Sequence, residues 1–271
     1  MSDDRPIRIS AVSFFNTVAL IYGLSDRPGV RLQRGVPSSL LDGLRDGTAD
    51  VALLPTIDYQ KLDGVSIIPA GGIGCDGPTL TVRLFSSRPI EQTRVLAVDG
   101  DSHTSVALAR VIFDKTYGLR PAVVPLAEAD ADATRLLIGD KVITAAPDLP
   151  HQLDLGEAWK RLTGLPFVFA VWTARAGVDV GDLPSTLTDC LRRGMADVDT
   201  LVAREAVPRG WPADIARRYL TEYLKFTIGP RQIEAIERFH QLAWEAGALE
   251  DRPKPLRLVP APVVFDGRRL R

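Results

Sequence analysis

Two cysteines, three histidines and two methionines are few for a chain of 271 residues. Cys75 and Cys190 lie far apart, and His103, His151 and His240 never approach metal-ligand spacing. Zinc-finger and histidine-pair patterns are therefore excluded, and the two thiols read as idle groups in a reducing compartment. No run of 18 apolar residues occurs, which excludes a membrane-spanning helix of ordinary length. The opening MSDDRPIRIS is acidic and polar and has no apolar core of a secretory leader, so a cytoplasmic protein is expected. Neither sign of charge dominates: 33 Lys and Arg face 34 Asp and Glu, and the net charge is −1. Nothing in that balance points to nucleic acid or an anionic membrane as partner. Internal repeats and low-complexity tracts are also missing.

What is present is core-forming material. Apolar residues make up 45% of the chain, enough for one large domain or two lobes. Strand-like and helix-like segments alternate. Residues 7–12, 50–54, 79–85, 94–98, 122–125 and 135–138 read as strands, with helices over 14–22, from 37 to Gly47, and from Ser102 or Thr104 to Gly118. Within the last of these, Leu108, Val111 and Ile112 recur at helical spacing and mark a buried face. Six apolar residues, Phe167 to Trp172, follow the Gly164 and Pro166 punctuation and suit a strand buried on both faces. Val168, Ala170 and Val171 read as plain core; Phe167, Phe169 and Trp172 either join them or line a pocket. Beyond Ala174 the pattern is helical. One long helix is expected through Leu187, Leu191, Met195, Val198 and Val202, a second from Pro212 and a third from Pro230. The Pro- and Arg-rich tail reads as poorly ordered over its last dozen residues. Alternation followed by a helical third implies an α/β protein. Two lobes of the type II periplasmic-binding-protein kind would fit, with chain crossings near 85–87 and 171–172. Lobe one would then comprise 1–87 and 172–271, and lobe two 88–171.

Two motifs mislead. Gly72-Ile73-Gly74-Cys75-Asp76-Gly77 spells GxGxxG, but Pro78 and a strand-like TLTVRLF follow where a dinucleotide site needs a helix. We read it as a glycine-rich connection. Asp101, His103 and Ser105 hold the residue types of a hydrolase triad but are crowded into five positions without a nucleophile elbow. The same segment is better read as an anion site. Three hydroxyl residues, Ser102, Thr104 and Ser105, stand at a helix start, where backbone amides are free and the dipole is positive. Ordinary capping needs one of them. Ser13 and Asn16, after the first strand, repeat the theme, and two such sites on opposite lobes suit a small dicarboxylate.

The segments VSFFNT (12–17), ALLPTIDY (52–59), DSHTSVAL (101–108), LLIGD (136–140) and TGLPFVFAVW (163–172), in that order, resemble the chorismate dehydratase family of the futalosine route to menaquinone. The resemblance spans about residues 7–260. It implies a two-lobed binding-protein fold acting as a lyase, which removes water from chorismate to give 3-(1-carboxyvinyloxy)benzoate without metal or organic cofactor. Ser13 and Asn16 fall on the family's Ser-x-x-Asn motif, with Asn16 the expected catalytic residue. Ser86, Thr104, Ser105, Ile138, Gly139 and Asp140 fall on segments expected to line the cleft and bind substrate. This chain departs from the family at Val18-Ala19, where a basic residue and proline are usual, and at His103, where Arg is usual. For the proton acceptor, a substrate carboxylate oriented by Asn16 and the side chain of Asp140 both stand as candidates, Asp140 also reading as a capping residue. The alternatives in function are the sister dihydroxynaphthoate synthase and a non-catalytic solute-binding protein.

Overall fold

The computed structural model describes residues 5–100 and 102–259, so Asp101 and the tail from Pro260 lie outside the described residues. Ten strands form two five-stranded sheets. The first sheet runs β2 (Val30–Gly35), β1 (Ile7–Val12), β3 (Val51–Pro55), β10 (Phe167–Ala174), β4 (Ser66–Cys75). Strands β1, β2 and β3 are parallel, and β10 runs antiparallel between β3 and β4. The second sheet runs β7 (Ala122–Pro125), β6 (Val95–Val98), β8 (Thr134–Ile138), β5 (Val82–Ser86), β9 (His151–Asp154), with β5 antiparallel to both neighbours. Eight α-helices, with short 3-10 and π-helical segments between the elements, complete the described residues. They are α1 (Pro37–Asp46), α2 (His103–Ile112), α3 (Asp140–Thr144), α4 (Leu155–Thr163), α5 (Leu183–Ala196), α6 (Val198–Leu201), α7 (Ala213–Arg218) and α8 (Pro230–Glu245).

This is the expected two-lobed α/β architecture, but the chain changes sheets earlier than the sequence suggested. The crossings expected at 85–87 and 171–172 fall at the end of β5 and inside β10. Residues 76–81 and 155–166 make them instead. The reason is that β10 returns to the first sheet over its whole length, closed on both edges by β3 and β4. Every residue of β10 is buried, so both faces of the strand are covered, as its unbroken apolar run requires. Three further expectations need correction. Residues 14–22 form a bend, one 3-10 turn over Phe15–Thr17 and further turns, not an α-helix. The long helix breaks at Asp197, whose φ of −118° and ψ of 35° leave helical geometry. Only the end of the glycine-rich motif is a connection: Gly72 and Gly74 lie within β4, and Gly77 follows it in the crossing. A Cβ on Gly72 would stand 2.6 Å from the Ala170 carbonyl oxygen, and one on Gly74 would stand 2.7 Å from that of Phe167. The glycines let β4 press against β10, the close backbone approach for which strand glycine is kept.

Trp159, Phe167 and Phe239 meet edge-to-face at centroid separations of 4.9–5.9 Å and lock α4, β10 and α8 together. Trp172 is wholly buried, so it and Phe167 belong to the core. His240 is buried on α8, its Nε2 donating to the Thr56 carbonyl at 2.8 Å and its Nδ1 accepting from Gln60 at 2.8 Å. Burial, opposed weakly by the Thr56 bond, brings its pKa down to about 4. Both cysteines are buried and free, and burial raises the Cys75 thiol to about 12. No described helix is long and apolar enough to cross a membrane.

Candidate active site

The carboxyl ends of the parallel strands in both sheets face each other, the place where open α/β sheets bind ligands. Between them lies a cavity of about 70 Å3. The first lobe contributes Val12, Phe14, Asn16, Leu53, Pro55, Ile73, Phe169 and Ala170; the second contributes Val82, Ser102, Thr104, Ser105, Ile138 and Gly139, with Thr81 from the crossing. Apolar walls thus enclose one amide and four hydroxyls. None of these lining side chains titrates in the ordinary range.

Phe169 reaches the cavity through a β-bulge. In the pairing of β10 with β4, Val168 opposes Gly74 and Ala170 opposes Ile73, so Phe169 is an inserted residue. A bulge bends the strand and re-aims one side chain. The sequence left Phe169 open between core and pocket; its half-turn out of register decides for the pocket. Gly139 begins α3 with φ 60° and ψ −139°, a backbone region essentially reserved for glycine.

The hydroxyls at the start of α2 are ordered among themselves. Ser102 Oγ accepts from the Ser105 amide at 3.2 Å and donates to Ser105 Oγ at 2.8 Å. Ser105 therefore has its own proton left for the cavity. Thr104 Oγ1 accepts from the Ile57 amide at 3.3 Å, which ties α2 to the first lobe. His103 turns away from the cavity: its Nδ1 lies 2.8 Å from Asp58, a carboxylate with 0% side-chain exposure that also pairs with Lys61 at 2.7 Å. The sequence reading missed Asp58 as a partner, although it sits within ALLPTIDY. An isolated acidic residue in a short turn carries no local sign of a histidine 45 positions away.

Asn16 projects into the cavity from the turn after β1. Its Oδ1 is buried and has no hydrogen-bond partner in the protein. An unpaired buried acceptor costs roughly 1–3 kcal/mol, which a ligand donor would offset. At the crossing, Leu80 is the one non-glycine among the described residues with positive φ, at 70°. Asp154 holds it there, accepting from the amides of Thr79 at 3.0 Å and Leu80 at 2.8 Å while capping α4 through Gly156 at 2.9 Å and Glu157 at 3.1 Å. One buried carboxylate thereby pins both crossing segments and sets Thr81 at the cavity wall.

Residues 7–245 match the model of a family described as menaquinone biosynthesis. This chain belongs to that menaquinone biosynthesis family. Among curated relatives, a chorismate dehydratase of Thermus thermophilus is 27% identical over 243 residues, covering 81% of this chain and 89% of the relative. Of solved structures, a protein from Archaeoglobus fulgidus superposes with a TM-score of 0.70 at 16% identity, over 92% of this chain and all of that one. The periplasmic aliphatic sulphonate binding protein of Escherichia coli gives 0.64 at 14% identity, over 96% of each chain. At those identities the likeness is one of fold, and it is the periplasmic-binding-protein fold expected from the sequence.

In this member of the menaquinone biosynthesis family, the cavity brings together Asn16, Thr104, Ser105, Ile138 and Gly139 of the residues singled out in the sequence. Three others lie elsewhere. Ser13 is exposed just beyond β1. Ser86 closes the far end of β5, four residues or about 13 Å along the strand from Val82. There Ser86 Oγ accepts from the Thr134 hydroxyl at 3.2 Å and the Arg88 amide at 3.2 Å. Because β5 runs antiparallel to its neighbours, its first residue and not its last reaches the cavity. Asp140 accepts from the Trp211 indole N–H at 2.9 Å and faces Arg209 at 4.0 Å, outside the cavity lining. Thr81 lines the cavity although the sequence did not single it out, whereas Phe169 had been left open between core and pocket. Among the described residues no group of three or more His, Cys, Asp or Glu could hold a metal ion.

Proposed function

We propose that this chain is a chorismate dehydratase, a lyase converting chorismate to 3-(1-carboxyvinyloxy)benzoate in menaquinone biosynthesis. Family membership and the Thermus thermophilus relative support the reading. The observation that carries the mechanism is the lining of the cavity: apolar walls, one amide and four hydroxyls, with the candidate base Asp140 engaged by Trp211 outside it. Such a site can hold and orient a substrate but supplies no base of its own. The elimination fits that economy. Removal of a ring hydrogen and the neighbouring hydroxyl makes the ring aromatic, so the step runs downhill and catalysis consists of fixing the reacting conformer in a dry cavity. A carboxylate of the substrate takes the ring proton, the C–H electron pair becomes the new ring π bond, and the hydroxyl departs. Asn16 orients the reacting groups. The α2 start, with Thr104 and Ser105, anchors a carboxylate by backbone amides and hydroxyls. A biosynthetic activity of this kind places the protein in the cytoplasm, with a small-molecule acid as its partner.

The cavity, at about 70 Å3, is well below the roughly 300 Å3 at which ligand pockets begin. Substrate entry therefore needs the lobes to part about residues 76–81 and 155–166. The test is to incubate purified protein with chorismate, with and without chelator, and follow the products by mass. We expect an aromatic acid lighter by one water in both arms. Chorismate left intact refutes the activity, and bound but unchanged chorismate would mark a binding protein. Turnover that vanishes with chelator and returns with a divalent ion refutes the cofactor-free mechanism.

A further inference from the structure

Beside the cavity, two hydrogen bonds cross from one lobe to the other, and one of them ends on a buried charge. Asp58 lies in the 3-10 helix after β3, Thr56–Lys61, and its side chain is 0% exposed. Lys61 of the same helix pairs with its Oδ1 at 2.7 Å. The other partner comes from the second lobe: His103 Nδ1, at the start of α2, lies 2.8 Å from Oδ2 and 3.0 Å from Oδ1. An ionised carboxylate only accepts, so the imidazole Nδ1 carries its proton and donates. One residue on, Thr104 Oγ1 accepts from the buried Ile57 amide at 3.3 Å. That amide stands in the first turn of its helix, where no carbonyl of the helix can accept from it.

Parting the lobes breaks both bonds, and closing them has a cost that falls on Asp58. Closure takes the carboxylate out of water, which is unfavourable unless its oxygens gain replacement donors. Lys61 belongs to the same lobe as Asp58 and is at hand in either state. His103 arrives only with the second lobe, so it is the donor that offsets closure. A second pair also joins the lobes: Lys115, after α2, lies 2.9 Å from Glu245 of α8. Those side chains are 28% and 33% exposed, so solvent screens the pair and it contributes little.

We propose that Asp58 and His103 form a latch between the lobes, which holds the cleft closed and sets how often it opens to a ligand. Only the ligand's identity rests on the dehydratase reading; the latch stands on the contacts alone. With a cavity of about 70 Å3 between closed lobes, entry and exit both wait on the open fraction. The latch is made in the free and the bound protein alike, so its loss weakens both closed forms equally. Association and dissociation then accelerate by one factor, and affinity stays where it was.

The experiment compares His103→Ala and His103→Asn with wild type; asparagine sets an amide N–H where the imidazole Nδ1 stands. Hydrogen exchange of the Ile57 amide, without added ligand, reads the opening. In wild type it should be faster than exchange of the β10 amides and insensitive to low urea, since parting the lobes exposes little core. It should quicken about tenfold in His103→Ala, the scale of a lost hydrogen bond to a charged group, and return most of the way in His103→Asn. Stopped-flow mixing with 3-(1-carboxyvinyloxy)benzoate should give association and dissociation rate constants each about tenfold higher in His103→Ala, with Kd within about twofold of wild type. A variant that is merely less stable would not bind faster. An Ile57 amide that exchanges only in step with β10, an unchanged Ile57 rate in His103→Ala, an asparagine variant no better than alanine, or a weaker Kd at unchanged association would overturn the latch. Wild-type protein that neither converts chorismate nor binds the benzoate would overturn the dehydratase reading instead, and the exchange result then decides the latch by itself.

Discussion

Replacing Asn16 with alanine tests the site at its centre. Its buried Oδ1 has no hydrogen-bond partner in the protein. Truncation gives up the side chain's packing in the cavity wall, a cost on the order of 1 kcal/mol, while removal of the unpaired acceptor returns roughly 1–3 kcal/mol. These nearly cancel, so the variant's stability should stay within about 1–2 kcal/mol of wild type, a few degrees in Tm. The rate should behave differently. A preorganised group that meets the reacting centre loses on the order of 100-fold to 1,000-fold in kcat when removed, about 2.7–4 kcal/mol of barrier. KM should move little, since the contact strengthens only as the hydroxyl departs. Chorismate consumption followed at several concentrations, beside a thermal melt of the same preparation, separates these effects. A normal kcat, a defect in KM alone, or a variant that unfolds refutes the assignment.

Two substitutions probe the residues that the structure moves away from the cavity. Ser86→Ala and Asp140→Asn should both retain near wild-type kcat and KM, the second because an asparagine carbonyl still accepts from Trp211; a large kcat loss in Asp140→Asn would restore it as the base. The pH dependence of stability is set partly by His240. Its pKa is lowered to about 4 in the folded state from an ordinary 6.5, so the unfolded chain binds more protons between those values. Stability from this group is thus complete above pH 6.5 and is lost as pH falls toward 4, by ~3 kcal/mol in all. Melts of wild type and His240→Gln between pH 4 and 7 should show the variant with the flatter dependence. Parallel curves would remove His240 from the account.

Local pattern carried most of the elements. The run from Phe167 to Trp172 is apolar without alternation, which is what a strand buried on both faces needs, and every residue of β10 is buried. The hydroxyl triplet at Ser102, Thr104 and Ser105 announced a helix start with amides to spare, and Asn16 stood out as a polar residue in an apolar frame. These features follow from composition over a few residues, where side-chain size, branching and hydrogen-bonding capacity act on the nearest backbone. Pairing between distant segments was not legible. Tyr219 and Thr81 meet across 138 positions, and His103 and Asp58 across 45. The bulge that turns Phe169 inward exists only because β4 lies alongside β10 with one residue fewer. Ser86 left the site for the same reason: the direction in which β5 enters its sheet decides which of its ends meets the cavity, and a strand's own residues are equally content either way. Identity and local conformation were thus written in the chain, whereas the site's donors and acceptors were assigned by strand order, direction and register, which depend on contacts that no local window contains.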